Sequence, residues 1–259
     1  MENRIHVVPP CVVTPDEVRR VIPEPYYGPA FHDQPILATT KVRYVGEPVA
    51  VVLADDPHVA EEAAQSIVAE YEELPAVYGE VEAMTSKAIV HEVLKPAGTF
   101  PDLKHLHGKT GTNIALDFRL RRGDADSAFA AADRVFEHTF RTQQVLHLPL
   151  EPFVTLVEPH DDSVTIHTAS QSVSFVRIEF ARVPGWPEYR VRVKVPYLGG
   201  GFGAKIGTIV EHLVVAQAAR LAGAPVRWDE SRSEHLQGFA HGRSQHQDVR
   251  LGLRLDGTI

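Results

Sequence analysis

The chain has 259 residues, enough for one large domain or two ordinary ones, with 44% hydrophobic and 23% charged residues. Its formal charge of -8 leaves no basic footprint for nucleic acid, no apolar run reaches the length of a membrane span, and the opening MENRIHVVPP lacks the basic-then-apolar pattern of a secretory leader. The expectation is a cytoplasmic globular protein that binds neither nucleic acid nor membrane. Its one cysteine, Cys11, excludes an internal disulfide, a cysteine-based zinc site and an iron–sulfur cluster held by this chain. The 14 histidines are scattered, and His105 and His107 are close but lie in a polar, loop-like stretch, so no metal site is expected.

Residues 1–40 are rich in proline and turn formers and read as irregular. VRYVGEPVAVVLADD reads as a strand, a Gly-Glu-Pro turn and a second, apolar strand. Asp56 is an N-cap with Pro57 at the first helical position. The helix that follows places Ala60, Ala63, Ala64, Ile67, Val68 and Tyr71 on one face, with Glu61 and Glu62 in its first turn. A boundary near Tyr78 closes this small α/β module, and residues 79–112 are a turn-rich connection.

Beyond it, IALDFRLRRG alternates as a strand, and DADSAFAAAD is a short helix capped by Asp124. RVFEHTFRTQQVLHLPLEPFVTLVEP gives two strands broken near Pro149. An acidic turn leads to a strand with Val164, Ile166 and Thr168 on one face. A helix over 172–183 closes at Pro184-Gly185, and YRVRVKVP is a strand with one face buried. AKIGTIVEHLVVAQAARLAG reads as a helix with Ile206, Val210, Leu213, Val214 and Leu221 on its apolar face and Gly223 as C-cap. APVRWDESRSEHL is a strand and then a charged helical start. QDVRLGLRLDGTI is a strand ending at a DG turn, after which a hairpin partner is expected. Both ends look cut, as in a fragment or one piece of a split protein.

The most unusual stretch is YLGGGFGAKIG, Tyr197 to Gly207. A glycine run between a strand and a helix costs backbone entropy and points N–H groups at an anion. A phosphate loop of NTPases needs glycine where Ala204 stands and a hydroxyl where Ile206 stands. A dinucleotide fingerprint is satisfied by Gly199, Gly201 and Ala204, with Asp229 and Glu230 as candidate ribose acids. The preceding strand, however, alternates Arg and Lys with Val, whereas a central strand of that fold is apolar on both faces. A tight packed corner with no ligand is the structural alternative.

LGGGFGAK also resembles the molybdopterin-contacting loop of the xanthine dehydrogenase, aldehyde oxidase and carbon monoxide dehydrogenase large-subunit family. RYVGEPVAVVLADDPHVAEEAAQSIVAEYEELPAV is similar to the family's a/b hammerhead domain, and GDADSAFAAADRVFEHTFRTQQVLHLPLEP to the entry of its first molybdopterin-binding domain. ASQSVSFVRIEFARVPGWPEYRVRVKVPYLGGGFGAK and PVRWDESRSEHLQGFAHGRSQH continue the likeness, which covers most of residues 41–259 in the family's order.

The resemblance implies an α+β fold: a partial hammerhead domain over 1–78, a linker over 79–112 and an incomplete first molybdopterin-binding domain over 113–259. It implies that Gln171, Gly200, Gly201, Phe202 and Gly203 contact a molybdopterin in its cytosine dinucleotide form, with no metal ligand from this chain. Gln171 matches the glutamine that hydrogen-bonds an oxygen ligand of the metal, although Ala169 stands where serine is usual. Glu151 is implied to be structural or peripheral, and Lys205 either meets a phosphate or solvates a helix start. The activity implied is hydroxylation of an aldehyde, an N-heterocycle or a CO-type substrate. Its general-base glutamate is expected beyond residue 259, so no catalytic residue is expected in this chain and the chain alone is expected to be inactive. Implied partners are an iron–sulfur small subunit, an FAD medium subunit and a separately encoded C-terminal half. The alternatives are a NAD-type enzyme using the Gly199–Ala204 loop, or a non-catalytic interaction module.

Overall fold

A computed structural model of the chain describes residues 11–28, 30–92, 94 and 108–259, so the His105–His107 pair lies outside the described residues. In chain order the elements are β1 (Cys11–Val13), α1 (Pro15–Val21), β2 (Tyr26–Tyr27), β3 (Gln34–Pro35), β4 (Val51–Leu53), α2 (Pro57–Gln65), α3 (Glu80–Ala83), α4 (Ala125–Ala130), β5 (Arg134–Leu146), β6 (Val154–Pro159) and β7 (Val164–Thr168). There follow α5 (Val173–Arg182), β8 (Val191–Lys194), α6 (Val210–Ala222), β9 (Val226–Asp229), α7 (Arg232–Gly238) and β10 (His241–Leu253). No helix among the described residues is long and apolar enough to cross a membrane. They form two compact units. The first holds the described residues up to Leu74 and His147–Ala240; the second holds Pro75–Glu92, the described part of His107–Leu146, and His241–Ile259.

The first unit is built on a four-stranded mixed sheet of order β8-β7-β6-β9. β7 runs parallel to β8, with Val164 opposite Val191 and Ile166 opposite Val193, and α5 makes the crossover that a parallel pair needs. β6 pairs antiparallel with both β7 and β9. β7 buries Val164, Ile166 and Thr168, and Thr165 between them is buried as well. α5 packs on β8, and α6 packs on β6 and β9. Val176 and Phe180 of α5 and Leu213, Ala216 and Ala219 of α6 join the strands in one core. The same core takes Val18, Ile22, Ile36, Leu37 and Leu53 from the N-terminal elements.

Several expectations change. Residues 1–40 are not wholly irregular, because Thr14 and Glu17 form a capping box that starts α1, with the Thr14 N–H donating to Glu17 Oε2 at 2.6 Å. Only Val51–Leu53 of VRYVGEPVAVVLADD is a strand, and it pairs with β1 rather than with residues 42–45. The turn at Gly46 is present, with φ +93°. Asp56 caps α2 as expected, its Oδ1 accepting from the N–H groups of His58 and Val59. The helix, however, stops at Gln65, so Ile67, Val68 and Tyr71 are not on it and are exposed. Ser66 ends it, donating from its N–H and Oγ back to the Glu62 carbonyl, a local side-chain bond that competes with helix continuation. With Pro57 as the first residue, Glu61 and Glu62 fall in the second turn, not the first. α6 begins at Val210, so Ile206 precedes the helix, and both Ile206 and Leu221 are exposed rather than on a buried face. Gly223 does end it in the left-handed region, at φ +62°.

The second unit is an antiparallel ribbon of β5 and β10 with the short helices α3 and α4. Asp124 caps α4 through the Ser127 N–H. The alternating stretch 114–122 forms no strand among the described residues, and Leu116, Phe118 and Leu120 are exposed. Alternation makes a strand only where a ladder partner satisfies the backbone. On one ribbon face Glu137 pairs with Arg250 at 2.7 Å and Thr139 donates to Asp248 at 2.6 Å. The other face sets Phe136 opposite Leu251 and His138 opposite Val249.

Candidate functional site

The glycine loop leaves β8 at Val195-Pro196, where proline's missing N–H ends the ladder. Gly207, Thr208 and Ile209 then separate the loop from α6. The helix N-terminus therefore does not stand directly behind the glycines, contrary to the strand–glycine–helix expectation. This removes the geometry of a dinucleotide fingerprint, as does the place of β8 at the edge of the sheet. The candidate ribose acids are committed elsewhere. Glu230 is buried and accepts from the Phe153 N–H at 2.9 Å and His235 Nδ1 at 3.0 Å, while Asp229 pairs with Arg227.

The structure gives each glycine its own reason. A Cβ on Gly201 would lie 2.4 Å from Gln171 Oε1, and one on Gly199 would lie 2.6 Å from Glu151 Cβ. These two are glycine because side chains of the same chain lie against the loop. Gly200 and Gly203 have φ of +98° and +90°, a region that strains any residue with a Cβ. Phe202 also lies at positive φ, +54°, with its side chain largely exposed. The turn is closed by Ala204 N–H to Gly201 C=O at 2.9 Å.

Gln171 follows β7 after two buried residues, Ala169 and Ser170, and precedes the Ser172 cap of α5. Its backbone N–H donates to the Lys205 carbonyl at 2.7 Å, and Ser170 Oγ donates to the same carbonyl at 3.2 Å. Its side-chain Oε1 accepts from the N–H groups of Gly203 at 3.0 Å and Lys205 at 3.3 Å. Two N–H donors aimed at one atom identify that atom as the amide oxygen. The amide NH2 therefore points away from the loop backbone, and no described residue accepts from it. Nor does any described residue accept from the N–H groups of Gly200, Gly201 or Phe202. The structure thus brings together all five residues expected at the site, and the polar atoms they leave free include four donor groups, beside the carbonyls of Gly200 and Phe202.

Lys205 neither solvates a helix start nor is free for a phosphate. Its side chain is 0% exposed, and Nζ donates to Glu151 Oε2 at 2.8 Å, the Glu151 carbonyl at 2.8 Å and the Pro152 carbonyl at 3.3 Å. The ammonium also lies 5.3 Å from the Phe153 ring centroid. Glu151 in turn accepts the Gly199 N–H at 2.8 Å and donates its own N–H to the Gly199 carbonyl at 3.2 Å. Burial pushes the Glu151 carboxyl up, but the Lys205 hydrogen bond, the Gly199 N–H and the ammonium charge outweigh it and hold the carboxyl below the usual range. Sequence reasoning read Glu151 as structural or peripheral and left Lys205 undecided, and no spacing rule links positions so far apart.

Beneath the site a buried polar line runs from Thr155 Oγ1 to Thr168 Oγ1 at 3.2 Å and on to His212 Nε2 at 3.0 Å. His212 Nδ1 accepts from the Ile209 N–H at 3.4 Å, so Nε2 carries the proton and the ring is neutral. Burial pulls its pKa down to about 3.

Comparison with known proteins identifies the family. The family model for the molybdopterin cofactor-binding domain matches residues 106–259, and that for the aldehyde oxidase and xanthine dehydrogenase a/b hammerhead domain matches residues 10–75. Subunit gamma of the 6-hydroxypseudooxynicotine dehydrogenase complex of Paenarthrobacter nicotinovorans is 36% identical over 226 residues, covering 87% of this chain and 26% of that protein. The carbon monoxide dehydrogenase large chain of Hydrogenophaga pseudoflava is 32% identical, covering 86% of this chain and 28% of that one. The crystal structure of quinoline 2-oxidoreductase from Pseudomonas putida 86 superposes with a TM-score of 0.79 at 30% identity, over 97% of this chain and 31% of that one. The chain thus spans about a quarter to a third of the length of the proteins it matches. With a molybdopterin cofactor-binding domain matched over more than half its length and an α+β fold shared with these oxidoreductases, the chain belongs to the xanthine dehydrogenase, aldehyde oxidase and carbon monoxide dehydrogenase large-subunit family.

Proposed function

We propose that Gly200, Gly201, Phe202, Gly203 and Gln171 form one wall of a molybdopterin site in a molybdenum hydroxylase large subunit. The observation that carries the reading is a group of free donors: three backbone N–H groups and the Gln171 amide NH2 are left without a described acceptor, and Gln171 Oε1 is already taken. Donors grouped in this way suit an oxygen-rich, negatively charged group, and a molybdopterin is one. When bound, the cofactor supplies the redox centre for hydroxylating a carbon centre, with water as the source of oxygen.

This chain's own residues bind and orient. The Gln171 amide is neutral and does not titrate, so it donates at any working pH and neither takes up nor releases a proton. The backbone N–H donors are equally fixed in charge, and their loop is braced from within the chain. No residue of this wall can act as the general base. In this reading that glutamate comes from the remainder of the large subunit, beyond residue 259, and the chain alone is inactive. The reading assigns 1–78 to part of the hammerhead domain, 79–112 to a connection and 113–259 to the first piece of the cofactor-binding domain. It assigns the cofactor the cytosine dinucleotide form, and it places iron–sulfur clusters and FAD on a small and a medium partner subunit. The names of the relatives support a multi-subunit setting, one being subunit gamma of a complex and another a large chain. The substrate class is an aldehyde, an N-heterocycle or a CO-type molecule.

Metal and pterin analysis of the chain co-purified with the subunits encoded beside it tests this reading. Molybdenum and pterin are expected in the wild-type complex and lost from Gly201→Val and Gln171→Ala. A stable complex without either, unchanged by Gln171→Ala, would make the chain an interaction module. Nicotinamide binding without molybdenum would restore the dinucleotide reading.

A further inference from the structure

Lys205 stands at the point where three parts of the site meet. Its backbone N–H donates to Gln171 Oε1 and its carbonyl accepts from the Gln171 N–H, so the place of the Lys205 backbone sets the direction of the Gln171 amide. Its side chain turns the other way, into the interior, and ends on oxygens of Glu151 and Pro152 alone. Glu151 also holds Gly199, through both its backbone N–H and its carboxylate. The two ends of the loop, Gly199 and Lys205, are thereby tied to one residue, and Gly200–Ala204 span the gap.

An ammonium removed from water is expensive unless fully hydrogen-bonded, and an apolar side chain would fill the same space at lower cost. What the charged pair provides in return is direction: a point charge held by a carboxylate and two carbonyls has a defined position, which an apolar side chain lacks. We propose that Glu151 and Lys205 act as a positioning pair that fixes the Gln171 amide with its NH2 outward and holds the Gly200–Phe202 donors in line with it. Neither residue touches the ligand in this scheme. The pair acts through the loop backbone and through Gln171.

The consequence for molybdopterin rests on the function proposed above, whereas the positioning itself is measurable without cofactor. The experiment follows hydrogen–deuterium exchange of a peptide spanning 197–207, with a peptide from α6 as internal reference, in the complex that contains this chain. The variants are Glu151→Gln, Lys205→Met and the double substitution, and bound molybdenum is assayed in parallel. Each single variant is expected to lower loop protection about tenfold or more while α6 keeps its protection. The double variant is expected to lose no more than the worse single, as two halves of one device do. Molybdenum content is expected to fall with loop protection. Unchanged loop protection in the singles, or losses that multiply in the double, would overturn the proposal. If Lys205→Met also releases α6, Glu151→Gln, which keeps the volume and an acceptor oxygen, decides the matter on its own. A wild-type complex without molybdenum would defeat the proposed function and leave the exchange result to decide the pair.

Discussion

Gly201→Ala is the sharpest perturbation of the loop, because it adds one methyl group to a position whose neighbours are known. The new Cβ would lie 2.4 Å from Gln171 Oε1, 2.5 Å from its Cδ and 2.8 Å from its Cγ. All three atoms belong to one flexible side chain, so the strain is relieved by moving Gln171 away, and that movement breaks its two hydrogen bonds to the loop. The Gly203 N–H is exposed and turns to water, at a cost of about 0.5–1.5 kcal/mol. Lys205 is buried, and stranding its N–H costs about 1–3 kcal/mol. The sum is roughly 2–4 kcal/mol. Gly203→Ala adds the same methyl group where nothing lies within 4 Å but φ is +90°, so it meets backbone strain alone, about 1–2 kcal/mol. Gly207→Ala meets neither, having open space and no positive φ, and is expected to be neutral. Urea unfolding followed by the fluorescence of Trp186 and Trp228, both packed against the core of the first unit, measures all three. The reasoning fails if Gly203→Ala is the more damaging, or if Gly201→Ala costs less than about 0.5 kcal/mol.

Three further outcomes are expected. His212 stays neutral in the fold to about pH 3 but takes a proton below pH 6.5 when unfolded, so the unfolded state binds more protons and stability falls by about 1.4 kcal/mol per pH unit across that window; His212→Gln should remove this part of the slope in denaturation curves taken between pH 7 and pH 5. Gly46→Ala places a Cβ 2.4 Å from the Gly238 Cα at a φ of +93°, whereas Gly238→Ala meets Gly46 at 3.2 Å, so the first should cost about 2 kcal/mol or more and the second less, as read from unfolding midpoints. The ribbon face that carries Phe136, Phe140, Val249 and Leu251 is exposed, and a two-stranded sheet is marginal by itself, so the isolated chain should bind an apolar fluorescent dye and Phe136→Lys with Phe140→Lys should abolish most of that signal.

How much was legible in the sequence depended on how local the cause was. The caps at Asp56 and Asp124, the buried face of β7 and the left-handed Gly223 follow from neighbours within a few residues, and each was readable. The capping box of Thr14 and Glu17 was equally local and was hidden only by the prolines around it. Ile67 and Val68 continued a helical period on paper, but Ser66 bonds back to the previous turn and ends the helix before them. Ile206 likewise fitted the face of α6 in spacing, although the loop delays the helix to Val210. At the site, resemblance supplied Gln171 and the glycines. The reason for Gly199 and Gly201 needed the fold, because the atoms they make room for belong to Glu151 and Gln171. A wholly buried Lys205 could not be read from a stretch that looks like a polar helix start.

The central claim is that Gln171 and the Gly200–Phe202 backbone face a molybdopterin. The most direct test is a crystal structure of the complex containing this chain, with diffraction recorded at the molybdenum absorption edge. The account predicts an anomalous peak on the side to which the Gln171 NH2 points, with pterin-cofactor density against the N–H groups of Gly200, Gly201 and Phe202. A molybdenum peak remote from Gln171, or a loop covered by protein with the metal bound elsewhere, would contradict it.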